Sequence, residues 1–279
     1  MAAVVADSAD LIQAVAAEAL ADSAVETPAA VGRRATGSKI EDCMESVLSE
    51  LLEKLTKTFG ERLVSVVLYG SAAVGDHHEG FSDLNVLCVL DQVTTRELAQ
   101  SETVFRWWGG KNNPAPLLLS EHEVQTSTDC FAIEFHDIKS HHRILQGKDV
   151  ITNLAVDNSF YRAQVEHDLR AKLLRLRQKA SGSLSDKEML RRLLADSIST
   201  FCVLFRHALI LNGVAAKSRK REIIEQARET FGIDALPFTR LLDVREERIK
   251  PRELEPGPLL DSYLKQISIV IDAVDRLEK

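Results

Sequence analysis

The sequence has no excess of positive charge: 35 lysines and arginines stand against 42 aspartates and glutamates, a formal net charge of −7 at pH 7. Wholesale electrostatic binding of nucleic acid is therefore not expected, although a local basic groove is compatible with this balance. Chemistry on a triphosphate would need divalent cations to offset the repulsion. Cysteine is also scarce. Cys43, Cys88, Cys130 and Cys202 lie far apart, and no pair has the short spacing of a zinc knuckle or a redox motif. Buried free thiols in a reducing cytoplasm are the expectation. No uninterrupted apolar run approaches the ~20 residues that a bilayer-spanning helix needs. The first twenty residues carry Asp7, Asp10 and Glu18 without a basic lead-in, so neither a membrane partner nor a secretory leader is expected. Internal repeats are lacking too.

What remains has the composition of an ordinary soluble globular protein, with 45% hydrophobic and 28% charged residues. Its length suits one large domain or two modest ones. Residues 1–38 are alanine-rich, end in a turn-prone stretch, and are read as a tail. Residues 39–150 alternate strand-like and helix-like runs, the pattern of a small α/β (α+β) unit with a mixed sheet. A helix over 39–59 is followed by strands at Arg62–Leu68 and Leu84–Leu90. Thr94 or Thr95 caps a helix that Gly109-Gly110 stops. A brief strand at Pro116–Leu119 precedes a short helix announced by the capping-box spacing of Ser120 and Glu123. Phe131–Ile138 is expected as a fourth strand. Residues 151–279 show helical periodicity alone. Four main helices are expected there, Phe160–Lys179, one capped at Ser185-Asp186, Lys217–Phe231 and Leu259–Leu277, forming an all-α bundle.

Chemistry concentrates in Gly70–Leu90, GSAAVGDHHEGFSDLNVLCVL. Residues two apart on a strand share a face, so Asp83 and Asn85 project together while Leu84 and Val86 point the other way. Two oxygen ligands on one strand suit magnesium. Gly70-Ser71 ends the preceding strand in a turn whose backbone can approach a phosphate closely.

This layout of strand, Gly-Ser turn, and acidic residue entering the next strand resembles the nucleotidyltransferase superfamily, the polymerase-beta-like fold. The resemblance covers roughly residues 39–150, and the helical remainder is reminiscent of the kanamycin-type and streptomycin-type adenylyltransferases. It implies transfer of a nucleoside monophosphate from an NTP such as ATP to a hydroxyl on a small molecule or protein, with Mg²⁺. Gly70, Ser71 and Ser82 would bind the nucleotide. Asp83 and Asn85 would bind metal, together with a third carboxylate from a neighbouring strand. Glu134 is the choice for that carboxylate, interrupting an apolar strand on the face of Ala132 and His136, with Asp137 in reserve; Asp83 and Glu134 would be the catalytic pair. Lys139, with His141, His142 and Arg143, supplies positive charge for a triphosphate. Asn85 departs from the pattern, which has aspartate there. An amide oxygen can ligate a metal but adds no charge, so the resemblance leaves two functions open: a weakened enzyme, or a catalytically inactive nucleotide-binding module that regulates a partner.

Overall fold

The computed structural model describes residues 37–74 and 84–277. The tail expected over 1–38 therefore lies outside the described residues, apart from Gly37 and Ser38, which open the first helix. The chain divides into two compact units, residues 1–157 and 158–279.

In the first unit, helix α1 (Gly37–Phe59) leads through a short 3-10 turn into strand β1 (Leu63–Tyr69). A second 3-10 turn, Ser71–Val74, precedes β2 (Asn85–Leu90), and α2 (Thr95–Gly109) follows. Then come β3 (Leu117–Ser120), α3 (Glu121–Thr126), α4 (Ala132–Ser140) and β4 (His142–Gly147). The sheet order is β3-β2-β1-β4, with β2 and β3 parallel and both other pairs antiparallel. It is the small mixed sheet that the alternating pattern implied.

Both faces of the central strands are buried, which is why β1 and β2 read as continuous apolar runs rather than alternating ones. One face carries Val66, Leu68, Val86, Cys88 and Leu90 against Leu48, Leu51 and Leu55 of α1 and Val104 and Trp108 of α2. The other carries Val67, Leu87 and Val89 against Val124 of α3, Phe135 and Ile138 of α4, and Ile151. Trp108 is wholly buried, and its indole N–H donates to the Pro114 carbonyl at 2.9 Å. Trp107 lies beneath the Lys54 ammonium, 4.8 Å from the ring centre.

One element departs from the sequence reading. Residues 132–140 form helix α4 where a strand was expected, and the fourth strand is the following segment, His142–Gly147. In α4 Ala132, Ile133, Phe135 and Ile138 are buried, and Phe135 and Ile138 pack against the sheet. The true strand has no fully buried residue, so its sequence carries little apolar signal. Its end is fixed by Gly147 at φ +83, where an added Cβ would lie 2.2 Å from the Val64 carbonyl oxygen.

The second unit is all helix: α5 (Tyr161–Ser181), α6 (Lys187–Leu211), α7 (Lys220–Phe231), α8 (Leu236–Arg245) and α9 (Pro256–Asp275). Helix α8 is not among the four main helices expected from the sequence, where Pro237 looks like a helix breaker. Proline in the first turn of a helix costs nothing, because that N–H has no intrahelical partner, and Pro237 sits there. Helix α6 is long and apolar enough to cross a bilayer by length and composition alone. Its apolar side chains are instead core: Leu190, Leu194, Ile198, Phe201, Phe205 and Leu209 are all buried within the unit.

Candidate active site

The strands bring the residues of interest to one end of the sheet. β1 finishes at Tyr69, whose cross-strand neighbours are Asn85 on β2 and His142 on β4. Gly70 follows with φ +80, a left-handed conformation open to glycine and strained for residues with a Cβ. Its N–H donates to the His141 carbonyl at 3.0 Å, and its own carbonyl accepts from the Ala73 N–H at 3.0 Å. Gly70 thus turns the chain sharply off β1, but its N–H is already spent on His141. What it could offer a phosphate is conformation and space rather than a donor. A Cβ placed on Gly70 would meet the Asn85 amide nitrogen at 3.4 Å, so the Asn85 side chain stands directly against the turn.

The side-chain parity of the strands assigns the faces. Leu84 and Val86 pack on the α1 side. Leu87 and Val89 pack on the α4 side together with Tyr69, and Asn85, two residues before Leu87, shares that side. Ser82 and Asp83 lie outside the described residues, as do His77 and His78; Ser71 is described in its backbone alone.

Glu134 reaches this end of the sheet from a helix, which corrects the geometry expected of it. On a strand it would share a face with Ala132 and His136; on α4 it shares one with Asp137, three residues on. Both carboxylates act on Tyr69. Burial chiefly, and then the charges of Glu134 and Asp137, push its phenol far above the ordinary tyrosine range. The helix therefore presents two acids, not one, to the strand end that carries Asn85. Reading 131–138 as helical would have revealed this pairing from the sequence.

Lys139 does not join them. It is exposed on a different side of α4, and its ammonium donates to the Leu154 carbonyl at 2.6 Å. His142 approaches the Lys139 carbonyl through Nδ1 at 3.2 Å and the Thr152 hydroxyl through Nε2 at 3.4 Å. Beside it, Asp149 accepts from the backbone N–H groups of Ile151 and Thr152 at 3.0 and 2.9 Å. Bonds from Thr152 are the first cause, with that from Ile151 behind them, of a carboxyl pulled down to about 2.

Oxygen donors of the kind magnesium prefers are present: the Asn85 amide and the carboxylates of Glu134 and Asp137. Among the described residues, no group of three or more His, Cys, Asp or Glu side chains converges on one metal position. The donor chemistry of these groups is of the kind that magnesium takes, and Asp83, expected with them, lies outside the described residues.

Residues 48–144 match the family model of the nucleotidyltransferase domain. That span runs from the middle of α1 into β4 and contains Gly70, Asn85 and α4. No curated protein gives a significant match. Among solved structures, spectinomycin adenyltransferase from Enterococcus faecialis, determined with ATP and spectinomycin, superposes with a TM-score of 0.50 at 13% sequence identity. The match covers 82% of this chain and 99% of that one, which is a likeness of fold. The chain thus has a small mixed sheet with helices that matches the nucleotidyltransferase domain over residues 48–144, followed by further helices, a fold like that of the spectinomycin enzyme.

Proposed function

We propose that this protein transfers a nucleoside monophosphate from an NTP to a hydroxyl acceptor, with Mg²⁺, at a rate limited by Asn85. The observation that carries this reading is the juxtaposition at the end of β1: the left-handed Gly70 turn, Asn85 against it, and the two carboxylates of α4 acting on Tyr69, all within the nucleotidyltransferase match. The spectinomycin adenyltransferase likeness, with its ATP and small-molecule acceptor, favours a small-molecule hydroxyl over a protein one. The cytoplasm, where NTPs and reduced thiols coexist, is the proposed location.

In this mechanism the turn from Gly70 to Val74, with Ser82, seats the triphosphate. Asp83, Asn85 and Glu134 would hold Mg²⁺, with Asp137, one helical turn from Glu134, placed to share the charge. Magnesium, when bound, supplies neutralisation of the triphosphate and orientation of its α-phosphate. Glu134 accepts the proton of the acceptor hydroxyl. The acceptor oxygen bonds to the α-phosphorus as the bond to pyrophosphate breaks, giving the nucleotidylated acceptor, pyrophosphate and a proton. Holding the acceptor oxygen in line with the leaving group is the chain's main contribution.

A second reading has a specific residue in its favour. Asn85 brings no charge where a carboxylate would strengthen metal binding, and a protein of this fold can keep the nucleotide seat while losing turnover, acting on a partner through occupancy. The deciding experiment incubates the purified protein with each α-³²P-labelled NTP, Mg²⁺ and a panel of hydroxyl acceptors, following labelled product and pyrophosphate. Magnesium-dependent release that disappears in Asp83→Ala supports the enzyme. Saturable NTP binding with no release supports the inactive module. No binding at millimolar NTP defeats both.

A further inference from the structure

Of the cations that the sequence offered to a triphosphate, Lys139 has its ammonium engaged with the Leu154 carbonyl. Four residues further on, Arg143 lies on β4 opposite Leu68. That register puts it on the α1 side of the sheet, where its strand neighbour Leu145 packs. The turn that follows Gly70 comes to the same side: Ala72 is buried there with Ala73 beside it, and the turn packs against β1 and β4. Among the described residues the Arg143 guanidinium is used on one edge: its Nη1 pairs with Glu45 of α1 at 2.8 Å, while Nε and Nη2 are shut from solvent and have no hydrogen-bond partner there. Buried donors without an acceptor are costly, and charged ones more so. The edge formed by Nε and Nη2 is the one that grips two oxygens of a phosphate or carboxylate at once.

We propose that Arg143 is a triphosphate-binding residue and that Glu45 is its stand-in anion, displaced when the nucleotide arrives. This rests on the nucleotide reading above. The pair with Glu45 is a weak holder: the two side chains are 40% and 51% exposed, and exposed ion pairs contribute little. A phosphate on the Gly70–Val74 turn offers the vacant donors the oxygens they lack. The whole side chain then swings from α1 towards the turn on its flexible stem.

The test compares the full-length protein with Arg143→Ala, Arg143→Lys and Glu45→Gln by calorimetry, using Mg·ATP, inorganic tripolyphosphate and adenosine as separate probes. Thermal melts of each variant show whether it is folded. Arg143→Ala is expected to weaken ATP and tripolyphosphate by tenfold or more and to leave adenosine unchanged. Arg143→Lys should recover only part of the loss, because an ammonium cannot bind as a fork. Glu45→Gln should tighten both phosphate ligands by two- to fivefold, since the competing anion is gone. A folded Arg143→Ala protein that binds ATP and tripolyphosphate as the parent does overturns the inference while leaving the nucleotide reading intact. Equal losses for adenosine, or weaker phosphate binding in Glu45→Gln, overturn it as well. If the parent binds neither phosphate ligand, the nucleotide reading falls and the inference with it.

Discussion

At Asn85 the quantity that matters is one unit of charge. A carboxylate about 4 Å from a cation, at an effective dielectric of about 20, gains roughly 4 kcal/mol per unit charge, and each 1.36 kcal/mol is about tenfold in rate. Solvation of the new charge returns part of that gain. Asn85→Asp is therefore expected to raise magnesium-dependent nucleotidyl transfer by at least about tenfold, measured as pyrophosphate release at saturating NTP. An unchanged rate would place the limitation elsewhere. Gly147 makes a different kind of demand. Its φ of +83 and the 2.2 Å approach to the Val64 carbonyl oxygen leave no room for a side chain, and the obstacle is backbone of the neighbouring strand. Left-handed strain alone costs about 1–3 kcal/mol, and the collision adds to it. Gly147→Ala should lower unfolding free energy by at least about 2 kcal/mol in urea titrations. Gly70→Ala is the informative contrast: the strain is similar, but the nearest atom is the movable Asn85 amide at 3.4 Å. That variant should lose less stability than Gly147→Ala.

Among the elements, α2 shows how local chemistry anchors a helix to the sheet. Thr94 caps it, accepting from the Arg96 N–H at 3.2 Å, and Glu97 closes the box by accepting from the Thr94 N–H at 3.1 Å. Glu97 is buried and also pairs with Arg62, the residue that leads into β1; Arg62 in turn donates to Gln100 at 2.7 Å. The bond from the Thr94 hydroxyl first, with Arg62 among the further contributors, holds the Glu97 carboxyl below its ordinary value of 4.5. A carboxylate whose folded value is depressed stabilises fully above the unfolded value and loses that contribution as pH falls through the folded one. Glu97→Gln should therefore melt below the parent at pH 7, with the gap closing as pH drops below about 4.5. Thr94→Ala should cost about 1 kcal/mol, the usual worth of an N-cap. This cap was legible in the sequence, as was the box at Ser120 and Glu123, because capping depends on residue type at fixed local spacing. Helix α4 was not. Its eight-residue run FAIEFHDI fits a short buried strand and a short buried helix equally well, and tertiary packing decides between them. β4, an edge strand with only Ile144 and Leu145 as large apolar residues, gave the sequence nothing to outweigh that misreading. The Gly70 turn was recognisable from its residues, whereas the loss of its N–H to His141 depends on β4 and so was not.

For the molecule as a whole, the two compact units draw stability from separate sources. The first is a sheet with helices on both faces, so its core requires strands far apart in sequence to pair. The second, residues 158–279, assembles a core from its own helices. Phe201, Phe205, Phe238 and Tyr263 form a chain of ring contacts, with centroids 5.7 Å apart for Phe201–Tyr263, 5.3 Å for Phe205–Phe238 and 5.0 Å for Phe238–Tyr263. All four rings are buried, Phe205, Phe238 and Tyr263 completely. Such edge-to-face and tilted arrangements add to the stabilisation that burial provides. Because these partners are all internal to the unit, residues 158–279 expressed alone should fold, showing helical circular dichroism and one cooperative thermal transition. Truncating Phe238 to alanine removes the ring that touches both Phe205 and Tyr263, at a cost of about 3–5 kcal/mol. Measured by urea unfolding of the isolated fragment, that loss should leave the unit marginal or unfolded. If the fragment melted without a cooperative transition, the aromatic core would be insufficient on its own. The helical unit would then depend on the rest of the chain for its stability.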